Sequence, residues 1–164
     1  MEIQIKDESN PVGMPIEDEA IDNFILIMSS LWDEETEKTP WYKPWRRISF
    51  TRVTAFLMKS LDDLIAYVDD YIDANGADKK ATVLAAIGRL YDYVVIQAMP
   101  VYLKPFSSSI KTYIVNDLIA TAIDWIVDKY RNGEWRKKDS AQLKAQWALQ
   151  AQSIGVPFGN VLPK

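Results

Sequence analysis

The chain has no cysteine and no histidine in 164 residues. Without cysteine there can be no disulfide framework, no thiolate nucleophile and no thiolate-bound zinc. Without histidine the commonest general base and the commonest metal ligand are both missing. Glycine is sparse as well, and its six residues form none of the patterns G-x-S-x-G, G-x-x-x-x-G-K-[ST] or G-x-G-x-x-G. A nucleophile elbow and the familiar phosphate-cradling loops are therefore excluded. A long uncharged apolar run is also lacking. The best candidate, residues 110–127, contains Lys111, Asn116, Asp117 and Asp124. An Asp at mid-bilayer costs about 2.5–3.5 kcal/mol, so two of them offset about a dozen Leu- or Ile-class residues at about 0.3–0.6 each. A span there roughly breaks even, whereas a helical bundle accommodates the same acids at little cost. Residues 1–10 are polar and mostly acidic, unlike the basic-then-apolar start of a secretory signal, which predicts synthesis in the cytoplasm.

What the chain does contain is ordinary for a globular domain: 48% apolar and 26% charged residues. Its length suits one domain that buries about two-thirds of its unfolded surface. The net charge of −4 conceals a strong polarity. Residues 1–37 hold eleven acids and one base, Lys6, while Lys129, Arg131, Arg136, Lys137 and Lys138 oppose only Glu134. Such polarity favours contact between oppositely charged regions, within one chain or head to tail between copies.

Apolar spacing predicts an all-α, single-domain helical bundle of four long helices plus a shorter C-terminal one. Residues 1–14 form an N-terminal arm in which Ile3 and Ile5 alternate with polar residues, and Asn10-Pro11-Val12-Gly13 interrupts regular structure. The helical domain spans 15–152. Its first helix, 15–33, opens on Pro15 and carries Ile21, Phe24, Ile25, Met28, Leu31 and Trp32 on one face. A linker, 34–48, holds Pro40 and Pro44. The second helix, 49–74, turns Val53, Leu57, Leu61, Leu64, Ile65, Val68 and Ile72 inward, and Asn75-Gly76 supplies its C-terminal cap. Asp78 caps a third helix, 79–98, with Val83, Leu84, Ile87, Tyr91, Val94, Val95 and Ala98 inside. The connection Met99-Pro-Val-Tyr-Leu-Lys-Pro-Phe106 is too apolar to lie in water and is expected to tuck against the core. Ser108 or Ser109 caps a fourth helix over 110–130, ended by Asn132-Gly133. This helix is apolar nearly all the way round, its Asp117, Thr121, Asp124 and Asp128 confined to an arc of about 60°. It is expected to be the surrounded centre of the bundle. A last helix, 140–152, places Leu143, Trp147 and Ala151 on one face, and 153–164 is a C-terminal arm bearing Ile154, Val156, Phe158, Val161 and Leu162.

Acidic residues are the only abundant ligand-type groups. Asp117, Asp124 and Asp128 make a row on one helix, and Asp62, Asp63, Asp69, Asp70 and Asp73 crowd another. Hard cations need carboxylates from convergent directions, which a row does not supply. The turn Asp73-Ala74-Asn75-Gly76 fails as a calcium loop, because a register with Gly76 sixth puts Tyr71 first and Thr82 twelfth. No cofactor, metal or catalytic residue is therefore assigned. Paired carboxylates leave a small hydrolytic enzyme as a second alternative.

Two clusters combine tryptophan with base: Trp41, Trp45, Arg46 and Arg47 in the linker, and Trp135, Arg136 and Lys137 after the fourth helix. Such clusters anchor protein contacts, stack on bases, sit at lipid interfaces or cover core edges. The acidic remainder of the chain argues against extended nucleic-acid binding. With Ile3, Ile5 and Phe158 of the arms, they are the candidate interaction residues, with protein partners and a homo-oligomer or larger assembly expected.

The stretch LYDYVVIQAMPVYLKPFSSSIKTYIV, followed by IDWIVDKYRNGEW, resembles small all-α proteins encoded by tailed bacteriophages, over about residues 85–136. Such proteins are often virion components or proteins of unassigned role, so the resemblance implies a structural role; it contains no motif with a known mechanism and carries over no functional residue. The leading expectation is a non-enzymatic structural or assembly protein, made in the cytoplasm and built into a virion. The first alternative is a membrane-associated helical protein, holin-like or peripheral.

Overall fold

Asp18, not Pro15, sets the first helix. In the computed structural model, which describes residues 13–38, 50–96, 99, 101–134 and 139–155, Asp18 is extended. Its carboxylate accepts the backbone N–H of Ala20 at 2.8 Å and of Ile21 at 3.3 Å. That cap satisfies two of the four orphan donors of the first turn, so helix α1 runs Glu19–Glu37. It extends four residues into the expected linker. Pro15 lies in a segment fastened to the start of the third helix. There the N–H of Met14 donates to Asp78 Oδ1 and that of Ile16 to Thr82 Oγ1, both at 2.9 Å. Only glycine fits the first position of this segment, since a Cβ on Gly13 would stand 2.0 Å from the carbonyl oxygen of Ala77. Gly13→Ala is expected to lift the segment and cost about 1–2 kcal/mol, read as a lower urea midpoint at unchanged slope.

Helix α2 is Phe50–Tyr71, and α3 is Gly76–Tyr91, carried on by a π-helical stretch, Asp92–Ile96. A 3-10 segment, Val101–Phe106, leads into α4, residues 107–131. Helix α4 is itself composite: α-helical over Ser107–Thr112, π-helical over Tyr113–Ile119 and α-helical again over Ala120–Arg131. Helix α5 is Ser140–Ser153, so Ser153 belongs to it rather than to the arm. No strand occurs among the described residues. The fold is an all-α bundle, as the periodicity predicts. The linker after residue 38, the arm residues 1–12 and the tail 156–164 lie outside the described residues.

Cross-helix partners set the directions. Tyr67 on α2 reaches Asp18, Tyr93 reaches Asp33 at 2.6 Å, Lys111 reaches Asp92 at 2.6 Å, and Ser140 donates to Asp70. Helices α1, α3 and α5 therefore run one way and α2 and α4 the other. The bundle has an end holding the α2–α3 turn and the C-terminus of α4, and an opposite end holding the α3–α4 connection.

Two junctions differ from expectation: α4 starts at Ser107 with no side-chain cap, where Ser108 or Ser109 is expected to supply one, and the α2–α3 turn is capped differently. Asn75 is the N-cap of α3, its side chain accepting the N–H of Asp78 at 2.8 Å, rather than the C-cap of α2. Asp78, expected as that cap, spends its own oxygens on Met14 and on the Asn75 amide. The end of α4 is as predicted: Gly133 takes a φ of 69°, the left-handed conformation that glycine adopts freely at this position.

The larger correction concerns the centre. Helix α2 holds it, with Leu64, Ile65, Ala66, Tyr67 and Val68 buried in succession and all four other helices against it. Helix α4 lies at the edge. It buries Ile114, Val115, Ile119, Ile123 and Ile126 and leaves Tyr113, Leu118 and Trp125 largely exposed. A 100° wheel does not hold through the wider π-helical turns of Tyr113–Ile119, so apolar side chains there rotate outward. Among the described residues of 99–106, Met99 and Leu103 tuck in, while Val101, Tyr102 and Phe106 face outward.

Candidate functional site

Two surface features stand out, one at each end of the antiparallel α3–α4 pair. The first is a cleft of about 520 Å³ where α2, the start of α3 and the end of α4 converge. Its size falls in the range of small-ligand sites. The floor is apolar, made of Ile65, Val68, Val83, Ile123 and Val127. Charges ring the mouth in matched signs: Asp69, Asp124 and Asp128 with Lys79, Lys80 and Arg131. Lys80 Nζ lies 2.7 Å from both Asp124 oxygens, and Lys79 Nζ lies 3.3 Å from Asp69 Oδ1. Both pairs are solvent-facing, worth about 0.5 kcal/mol each.

The second feature is an apolar corner at the opposite end. Val101 is 78% exposed, Tyr102 74%, Phe106 59% and Tyr113 56%. Phe106 is the N-cap of α4, and Tyr113 follows about two turns along it. Together these residues present roughly 500 Å² of exposed surface, the scale at which a patch on a monomer becomes an interaction site. Lys104, set among them, has no acidic partner among the described residues.

A second depression, about 470 Å³, lies between α1 and α2 over Met28, Leu31 and Phe56, edged by Glu34, Glu35, Lys38, Arg52 and Lys59.

The acidic rows face solvent, and several of their members also reach donors on neighbouring helices. On α2, Asp62 accepts from the Tyr130 hydroxyl, Asp70 from Ser140 and Asp69 from Lys79. On α4, Asp124 meets Lys80 and Asp128 accepts from the Asn132 side chain. Among the described residues, no three carboxylates converge on a point that could hold a metal ion.

Three phenols are raised above the ordinary tyrosine value near 10, Tyr67 and Tyr130 by far. Burial pushes Tyr67 up, followed by the Asp18 carboxylate that it hydrogen-bonds. Burial and then the hydrogen bond to Asp62 push up Tyr130. Burial and then the Asp92 charge raise Tyr91, whose hydroxyl has no hydrogen-bond partner among the described residues. A phenol raised in the folded state stabilises the fold fully below its unfolded value, and that stability is lost as pH climbs past it. The melting temperature is therefore expected to fall above about pH 10, and to fall less steeply in Tyr67→Phe, as followed by thermal melts across the alkaline range.

Ile3, Ile5, Trp41, Trp45, Arg46, Arg47, Trp135, Arg136, Lys137 and Phe158, the candidates read from sequence, all lie outside the described residues. The structure draws attention instead to residues that periodicity passed over. The corner was hidden by its composition, since an apolar connection reads as buried; Pro100, Lys104 and Pro105 were the signals against that. The cleft was hidden because its floor comes from three helices far apart in sequence. Comparison with protein-family models, with curated proteins and with solved structures finds no match. No described helix is long and apolar enough to cross a membrane.

Proposed function

We propose that this chain is a non-enzymatic structural protein that acts by assembling with other protein surfaces, and that it serves in a bacteriophage particle. The exposed corner of Val101, Tyr102, Phe106 and Tyr113 carries this reading. Exposing that much aromatic surface costs solubility and is common where a partner covers it. Aromatic residues at the middle of a patch are the side chains that dominate protein–protein binding. The likeness of residues 85–136 to small phage proteins supports the virion setting, and the corner falls inside that stretch. The sequence's arms and Trp-plus-base clusters would add contact area to the same role.

Sedimentation velocity over a concentration series tests the proposal. The chain is expected to form a defined oligomer, and Tyr102→Asp with Phe106→Asp is expected to reduce it to monomer with the helical signal retained. A wild-type chain that stays monomeric throughout overturns the reading. If that monomer instead floats with anionic liposomes at low salt, the corner is a lipid-facing surface and the membrane alternative replaces assembly.

A further inference from the structure

Apart from any assembly, we infer that the depression between α1 and α2 is the docking site for the chain's own tail, residues 156–164, with Phe158 on its floor. Helix α5 already lies in that seam. The Trp147 ring stands 4.6 Å from Phe24 of α1 and 5.1 Å from Tyr67 of α2, centroid to centroid, and Ser140 donates to Asp70 of α2. The depression continues the same faces of both helices. On α1, Met28, Leu31 and Glu35 follow Phe24 at steps of four, three and four residues, which puts all four on one stripe. On α2, Phe56 precedes Tyr67 by eleven residues and Lys59 precedes Asp70 by as many, about three full turns in each case. The surface that α5 covers therefore runs on past it as an open trough of about 470 Å³.

Register brings the tail to this trough. Trp147 is level with Phe24 and Tyr67, and Gly155 lies roughly 12 Å farther along the seam. In the same direction Leu31 is roughly 10 Å beyond Phe24, and Phe56 roughly 16 Å beyond Tyr67 on the antiparallel α2. The chain thus leaves α5 at the near edge of the depression. Gly155 takes a φ of 73°, the left-handed conformation that ends a helix, and Pro157 denies the chain a further helical turn. Phe158 follows Gly155 by three residues, at most about 10 Å of extended chain.

Chemistry and charge select the same occupant. The floor offers the Met28 thioether, the Leu31 side chain and the Phe56 ring, itself packed 5.0 Å from Trp32. A phenylalanine ring makes favourable contacts with all three. The rim holds Lys38, Arg52 and Lys59 against Glu34 and Glu35. The neighbouring linker, 39–49, would add Lys43, Arg46 and Arg47 to that excess of base, whereas residues 154–163 carry no charge. A contact within one chain also needs no interface-sized area, because a segment tethered this close acts at millimolar effective concentration.

The absence of native cysteine makes disulfide trapping a clean test. In the full chain, Phe158→Cys is paired with Ala55→Cys or with Glu35→Cys, both exposed positions that line the depression. Thr121→Cys, exposed on α4, is the control receptor. Under mild oxidation both depression pairs are expected to close within one chain about tenfold faster than the control pair, read by thiol loss and peptide mass. Phe158→Ser alone is expected to lower the urea midpoint by about 0.5 M at unchanged slope. Disulfides formed between chains would put a second copy's tail in the depression and overturn the inference, while favouring the assembly reading. Trapping of Trp41→Cys or Trp45→Cys by Ala55→Cys, with Phe158→Cys left free, would assign the site to the linker and overturn it as well. Closure no faster than the control, with an unmoved midpoint, overturns it and leaves the assembly reading untouched.

Discussion

Trp147→Ala is expected to cost about 3–5 kcal/mol and to release helix α5 from the bundle. Little else holds that helix. Its buried residues are Ser140, Trp147 and Ala151, and only Trp147 among them is large. The indole sits between two rings, with centroids 4.6 Å from Phe24 and 5.1 Å from Tyr67, tilted 48° to each. It therefore ties α5 to α1 and α2 at once. Tilted aromatic pairs add about 0.5–1.5 kcal/mol beyond area burial, and alanine would leave a void in which two rings lose their partner. Beside the smaller apolar contacts of Leu143 and Ala151, the described attachments are weak: the Ser140 hydroxyl on Asp70, and Lys144 lying 4.4 Å over the Tyr71 ring, a partly solvated contact worth about 0.5–1 kcal/mol. The expected result is a lower urea midpoint together with new protease cleavage between α4 and α5. Leu149→Ala, on the exposed side of the same helix, is the control and should change neither.

Helix α5 also shows how far spacing alone carries the fold. Leu143, Trp147 and Ala151 were legible as its inner face, and the structure buries Trp147 and Ala151 and half-buries Leu143. The α2 stripe from Val53 to Ile72 is buried at every expected position, and so is most of the α1 stripe. These faces are local, since one helix's own period determines them. Polar partners are not local. Asp62 and Tyr130 are 68 residues apart, and Asp70 and Ser140 are 70 apart, so nothing in the local spacing of α2 points to either partner. Caps fell between these cases. Gly133 carries its signal in its own residue type, whereas the choice between Asn75 and Asp78 depended on a hydrogen bond from Met14, which lies outside the helix altogether. The cleft and corner were the least legible, because each depends on where a helix sits in the bundle rather than on what it contains.

That dependence gives the second large effect, a matched pair of identical substitutions. Leu64→Ala is expected to cost about 3–4 kcal/mol and Leu118→Ala only about 1. By composition the two should rank the other way, since Leu118 lies in the most continuously apolar helix of the chain. Leu64 is fully buried in α2, where helices pack on every side, and truncating it opens a cavity that a close-packed core relaxes around only in part. Leu118 is 40% exposed on the π-helical stretch of α4, where alanine removes less buried area than at Leu64 and solvent can reach the space left behind. Chemical denaturation of the two variants decides between the positions, because slope and chemistry are held constant and only burial changes. Equal losses would mean that α4 is surrounded after all, by a segment or a second copy lying across its outer face. A loss at Leu118 that grows with protein concentration would identify that cover as a second copy, since only an intermolecular contact depends on mass action.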